Sequence, residues 1–165
     1  MALTPWNPAT KVSRGNVALG LVSAIADINS PHLAEVNTGM SLDCAVTTFN
    51  GTSSTDSQSI DWLCNPASEQ LPGSTTHSID DLVIKTNGTA TDQDLYNALA
   101  PNTVVYIWRR DGIPHDTEPA AGQHIWVWKI MVTSVDPVEA SNTYVGVTTH
   151  ITVLARTDLP VIILA

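Results

Sequence analysis

Three stretches of the chain rich in β-branched and aromatic residues read as β-strands, and the last of them alternates apolar and polar residues with a period of two, which suits a strand and does not suit a helix. They are Thr103 to Arg109, Gln123 to Thr133 and Tyr144 to Ala155. In the last, Val145, Val147, Ile151 and Val153 fall on one side, and Thr148, His150 and Thr152 on the other. Composition extends the inference to the whole chain, because 48 of its 165 residues are Val, Ile or Thr, whose branched Cβ favours a pleated backbone. The expected class is mainly β, a β-sandwich or barrel in one domain over 16–158. An arm over 1–15 precedes it, and a strand or tail over 159–165 follows.

Other segments supply the remaining elements. The N-terminal arm, Met1 to about Gly15, carries Trp6 between Pro5 and Pro8 and leads into a first strand over Asn16 to Ile25. Lys11 and Arg14 followed by the apolar run Val17 to Ala26, with Ala24-x-Ala26 at its end, imitate a secretory signal; Pro5, Pro8, Gly20 and Ser23 favour the strand. Ser30 as cap, Pro31 in the first turn and Gly39 as stop predict a short helix over 32–37. Leu42, Cys44 and Val46 alternate with polar or small neighbours as in a strand. Asn50 to Ser59 is small and polar, a loop opened by an Asn50-Gly51 turn.

Trp62, Leu63 and Cys64 form an apolar island closed by Asn65-Pro66, either a helix or an edge strand. Ser78 to Thr86 reads as one strand. Thr91 with Asp94 resembles a capping box and starts a packed helix over about 92–100, with Leu95, Tyr96 and Leu99 at helical spacing. Thr103 to Arg109 and Gln123 to Thr133 are expected to pair antiparallel around an acidic loop, Arg110 to Gly122.

Chemistry is hard to find. The histidines stand at 32, 77, 115, 124 and 150 without a zinc or protease spacing, and no G-x-S-x-G, Walker or G-x-G-x-x-G pattern occurs. No catalytic residue, cofactor or metal is therefore assigned. His115, Asp116 and Glu118 are candidate cation ligands, though a solvated loop explains them as well. Cys44 and Cys64 are either free thiols or one disulfide. Asn50-Gly51-Thr52 and Asn87-Gly88-Thr89 match the glycosylation pattern and equally make hairpin turns. With a formal net charge of −9, the chain lacks the clustered cations that bind duplex DNA or an anionic membrane, and no apolar run is long enough to span one as a helix.

The aromatic residues Trp6, Trp62, Trp108, Trp126 and Trp128 are candidates for core or interface. Trp126 and Trp128 share one strand face with Ile130, and Trp108 is expected across from them. Paired rings of this kind also build sugar platforms.

From about Ile28 to Val153 the sequence resembles the major tail proteins, or tail tube proteins, of long-tailed bacteriophages of actinobacteria. Asp27 to Thr48, Glu69 to Thr86, Asp94 to Asp111 and Ala121 to Thr133 carry the likeness. The resemblance implies a structural, non-enzymatic virion protein assembled in the host cytoplasm into rings, usually hexameric. These stack into a tail tube that conducts the genome. Its implied partners are other copies of itself and the tape measure, tail terminator and distal tail proteins, with no membrane. DNA would pass a repulsive lumen, for which Asp43, Asp80, Asp81, Asp92 and Asp94 are the candidate acids. The competing readings are a secreted carbohydrate-binding β-sandwich and another virion protein, such as a decoration or head-completion protein.

Overall fold

The computed structural model describes residues 15–46, 48–60, 69–86, 90–138 and 145–165. The arm with Trp6, the island with Trp62 and Cys64, and the Asn87-Gly88-Thr89 pattern lie outside the described residues.

The described chain is mainly β, with two short helices. Its strands are β1 (Val17–Val22), β2 (Met40–Ser41), β3 (Gly51–Ile60), β4 (Glu69–Ile79), β5 (Leu82–Lys85), β6 (Val104–Asp111), β7 (His124–Pro137), β8 (Gly146–Arg156) and β9 (Val161–Ile162). The helices are α1 (Leu33–Asn37) and α2 (Gln93–Ala98), the second entered through a 3₁₀ turn over Ala90–Asp92. Among the described residues seven strands form one sheet in the order β2-β1-β6-β7-β8-β5, with β9 also on β7, and β3 and β4 form a separate antiparallel ribbon. The strands expected around the acidic loop, β6 and β7, are neighbours.

The apolar run that imitates a signal is β1. Ala18 to Val22 are all buried and ladder with β6, Gly20 facing Trp108. Residues cluster into two compact units, the first drawn from 15–44, 106–127 and 157–165, the second from 45–105 and 128–156. In the first, Ala18, Val22, Ile25, Val36, Trp108, Ile125, Val127 and Ile163 make one apolar cluster. The last residues are a strand: β9 pairs with His124 and Ile125, and the Leu164 amide donates to Pro31 O at 2.8 Å. In the second unit Leu82, Ile84, Leu95, Leu99, Ile130 and Val132 are buried.

Four elements differ from their sequence pattern. Asn50 to Ser59 is strand β3, not a loop; its hydroxyls pair across the ladder with those of β4, Thr52 with Ser78 and Thr55 with Thr75, both at 2.8 Å. Such a strand buries neither face and so shows no hydrophobic period. Leu42 to Val46 is a turn, because the Asp43 carboxylate accepts the Leu19 N–H and the Ser41 hydroxyl and draws the chain around. Ser78 to Thr86 is broken at Asp80-Asp81, where the chain leaves β3 as partner and takes up β8. Helix α1 starts after His32 instead of Ser30, with the Glu35 carboxylate accepting the His32 N–H at 2.9 Å.

Gly20 is required by packing. A Cβ there would stand 2.3 Å from Cε2 and 2.4 Å from Nε1 of Trp108, inside van der Waals contact. Gly20→Ala should therefore destabilise the fold by about 1–3 kcal/mol, the usual cost of overpacking. The check is a lower urea midpoint with an unchanged slope; an unchanged midpoint would show that the indole moves freely.

Candidate assembly surfaces

The β3–β4 ribbon is the feature least able to stand alone. Thr52 to Ser59 are exposed along their whole length, and Leu71 on β4 is 47% exposed. A two-stranded ribbon without a buried face is marginal in water. A register shift between Thr55 and Ser57, opposite Pro72, interrupts the ladder, which suits a residue that has no N–H to give.

Its base is held by Trp128, which is 3% exposed. Phe49 meets that ring edge-on at a centroid distance of 4.9 Å, and the Arg156 guanidinium lies 5.4 Å above it. Arg156 also donates to the Ser53 hydroxyl. Gly51 crosses the ring so closely that a Cβ would be 3.0 Å from it.

These placements bear on the aromatic residues. Trp108 and Trp128 are buried and Trp126 is half-buried. Trp108 packs with Ile125 and Val127, the residues alternating with Trp126 and Trp128, and so does not lie across from the pair as expected. The reason is a change of buried side along β7, from Ile125 and Val127 to Trp128, Ile130 and Val132. A sugar platform needs exposed ring faces, which Trp128 does not offer.

Of the acids, Asp80, Asp81 and Asp94 are exposed, Asp43 is engaged with Leu19 and Ser41, and Asp92 is 7% exposed. His150 sits between two carboxylates, Nδ1 at 2.9 Å from Asp81 and Nε2 at 3.2 Å from Asp136. Asp80 accepts from the Asn50 amide at 3.2 Å. Cys44 is an exposed free thiol.

Arg110 organises the acidic loop. Its side chain is fully buried and donates to the carbonyls of Pro114, Thr117 and Glu118 and to Gln123 Oε1, at 2.5 to 3.2 Å. Burial lowers its pKa, while Asp43 opposes that shift. The sequence pattern puts this arginine in the loop, whereas it is the buried penultimate residue of β6, two positions from the buried Trp108. Beside the loop a cleft of about 460 Å³ opens. Ala18, Val36, Met40 and Trp108 supply its apolar lining, and Asp43, Asp116 and Glu118 its carboxylates. Glu35 steadies the start of α1 at this cleft, its pKa lowered by the backbone amides of His32 and Ala26. Among the described residues no three His, Cys, Asp or Glu side chains converge as metal ligands.

A family model described as phage tail tube protein matches residues 4–165. The chain belongs to the phage tail tube protein family. It is a structural component of a phage tail and not an enzyme. The fold agrees: a hybrid NMR and cryo-electron microscopy structure of the SPP1 tail tube is 15% identical, with TM-score 0.61, covering 94% of this chain and 81% of that one. A baseplate structure of the anti-feeding prophage is 10% identical, with TM-score 0.49, covering 93% of this chain and 96% of that one. A search of curated proteins returned no match.

The tail tube subunit should depend on Arg110 for the order of its loop. Arg110→Met leaves three carbonyls and an amide oxygen without their donor and should cost about 3 kcal/mol. Amide hydrogen exchange over residues 112–122 should speed up far more than in β6 or β7; uniform acceleration would mean that the arginine supports the whole fold equally.

Proposed function

We propose that copies of this chain close into rings, six to a ring by family resemblance, which stack into a tail tube that conducts the genome at ejection. The observation that carries the reading is the β3–β4 ribbon. Its two exposed strands find no core among the described residues, and membership of the tail tube family supports other copies as what they meet. Ribbon and arm tie ring to ring, while exposed sheet edges pair within a ring. The terminator and distal tail proteins close the two ends, and the tape measure occupies the bore during assembly.

Electron microscopy of the purified chain should show tubes with a central channel. Leu71→Asp should abolish them while the monomer keeps its thermal stability, since an exposed substitution away from any core changes stability by about 0.5 kcal/mol or less. Tubes of normal length from this variant would remove the ribbon from the contact.

Asp80, Asp81 and Asp94 are the exposed members of the acidic set and the ones we place on the lumen, where negative charge keeps phosphate from adhering. Replacing all three by Lys should leave tube formation intact and slow DNA release from the assembled phage, more so at low salt. Unchanged release kinetics would take these acids off the inner wall.

A further inference from the structure

We infer that the cleft beside the acidic loop is a docking site for the N-terminal arm of a second copy of this chain, with Trp6 seated among its apolar residues and Lys11 against its carboxylates. The inference rests on the tube reading and assigns the arm a receptor within it.

The first support is charge. Residues 1–14 hold Lys11 and Arg14 and no acid, whereas the rest of the chain holds 5 cations against 16 acids. Copies with a net charge of −9 repel one another, so a cationic arm reaching an acidic cleft offsets that repulsion where two copies meet. Asp43, Asp116 and Glu118 stand at the cleft; of the cations near this loop among the described residues, Arg110 is buried and donates to carbonyls, and Arg109 is paired with Asp111. His115, the remaining titratable group there, turns Nδ1 toward Gly15 O at 3.4 Å.

The second is the shape and polarity of the receptor. A volume of about 460 Å³ lies in the range of sites that enclose a small ligand, and an indole flanked by proline rings is an occupant of that scale. Ala18, Val36, Met40 and the Trp108 ring offer apolar and aromatic surface to it. Pro5 and Pro8 fix φ on either side of Trp6, which lowers the entropy lost on docking. The cleft also reaches Met40 and Ser41 of β2, the edge strand of the sheet, where an extended segment finds backbone partners.

The third is where the arm leaves the fold. The Gly15 carbonyl accepts the His115 N–H at 3.1 Å, so the arm departs from the border of the cleft on its own subunit. Trp6 lies nine residues further along the chain, a reach of at most about 30 Å when extended, and the crosslinks below distinguish the cleft of a neighbouring copy from that of the same chain.

The test is photo-crosslinking of full-length chain with p-benzoylphenylalanine replacing Trp6, irradiated in assembled tubes, together with a charge exchange that leaves Trp6 in place. Crosslinks joining two chains and mapping to residues 36–43 or 115–119 are expected. Lys11→Glu alone, or Asp116→Lys with Glu118→Lys, should raise the concentration needed for tubes about tenfold, and all three together should restore it. Crosslinks confined to one chain, crosslinks mapping elsewhere, or no restoration by the triple exchange would overturn the docking while leaving the tube intact. Absence of tubes from the unmodified chain would overturn both readings.

Discussion

One indole ring carries the part of the subunit that has no core. The β3–β4 ribbon is hydroxyl-rich on both sides, and pairing of hydroxyls across its ladder replaces hydrogen bonds to water with others of similar strength, a small net gain. Trp128 supplies the apolar burial that the ribbon lacks. Phe49, Gly51 and the Arg156 guanidinium all converge on its ring just where β3 begins. In the tube proposed above, such a base would fix the direction of the ribbon before contact.

The first unit solves a related problem with a different pair. Trp108 lies flat over Gly20, which admits a large ring between strands that would otherwise be held apart by side chains. From the same strand Arg110 reaches into the following loop and binds its carbonyls, so an acidic, proline-containing segment is given a single shape. Loops positioned by a scaffold are where recognition surfaces are usually found. Here the loop, α1 and β2 together line a cleft that combines apolar surface with carboxylates.

Much of this was legible in the residues. Runs of β-branched and aromatic residues identified β6 and β7, which bury most of their apolar side chains, and the period of two identified most of β8, which is only half-buried. Helix α2 showed itself by the spacing of Leu95 and Leu99. The tail tube likeness was carried by ordered segments spread over most of the chain, and the family match covers residues 4–165. Strand β3 was illegible for the same reason that β6 was clear: an exposed ladder of Ser and Thr looks like a loop. Leu42, Cys44 and Val46 misled in the opposite direction, since their alternation is overridden by the side-chain acceptor of Asp43.

The sequence by itself determined the class, the main strands, the acidic charge balance and the lack of a recognisable catalytic motif, all of which are properties of neighbouring residues or of the chain as a whole. Tertiary structure alone decided that Trp108 and Trp128 belong to separate packing sites, that Gly20 and Gly51 are there to admit those rings, and that Arg110 is a buried organiser of a loop. It also brought Asp43 and Glu118, 75 residues apart in sequence, to the same cleft. These facts depend on which strands become neighbours, and strand pairing joins residues whose separation along the chain leaves no local trace.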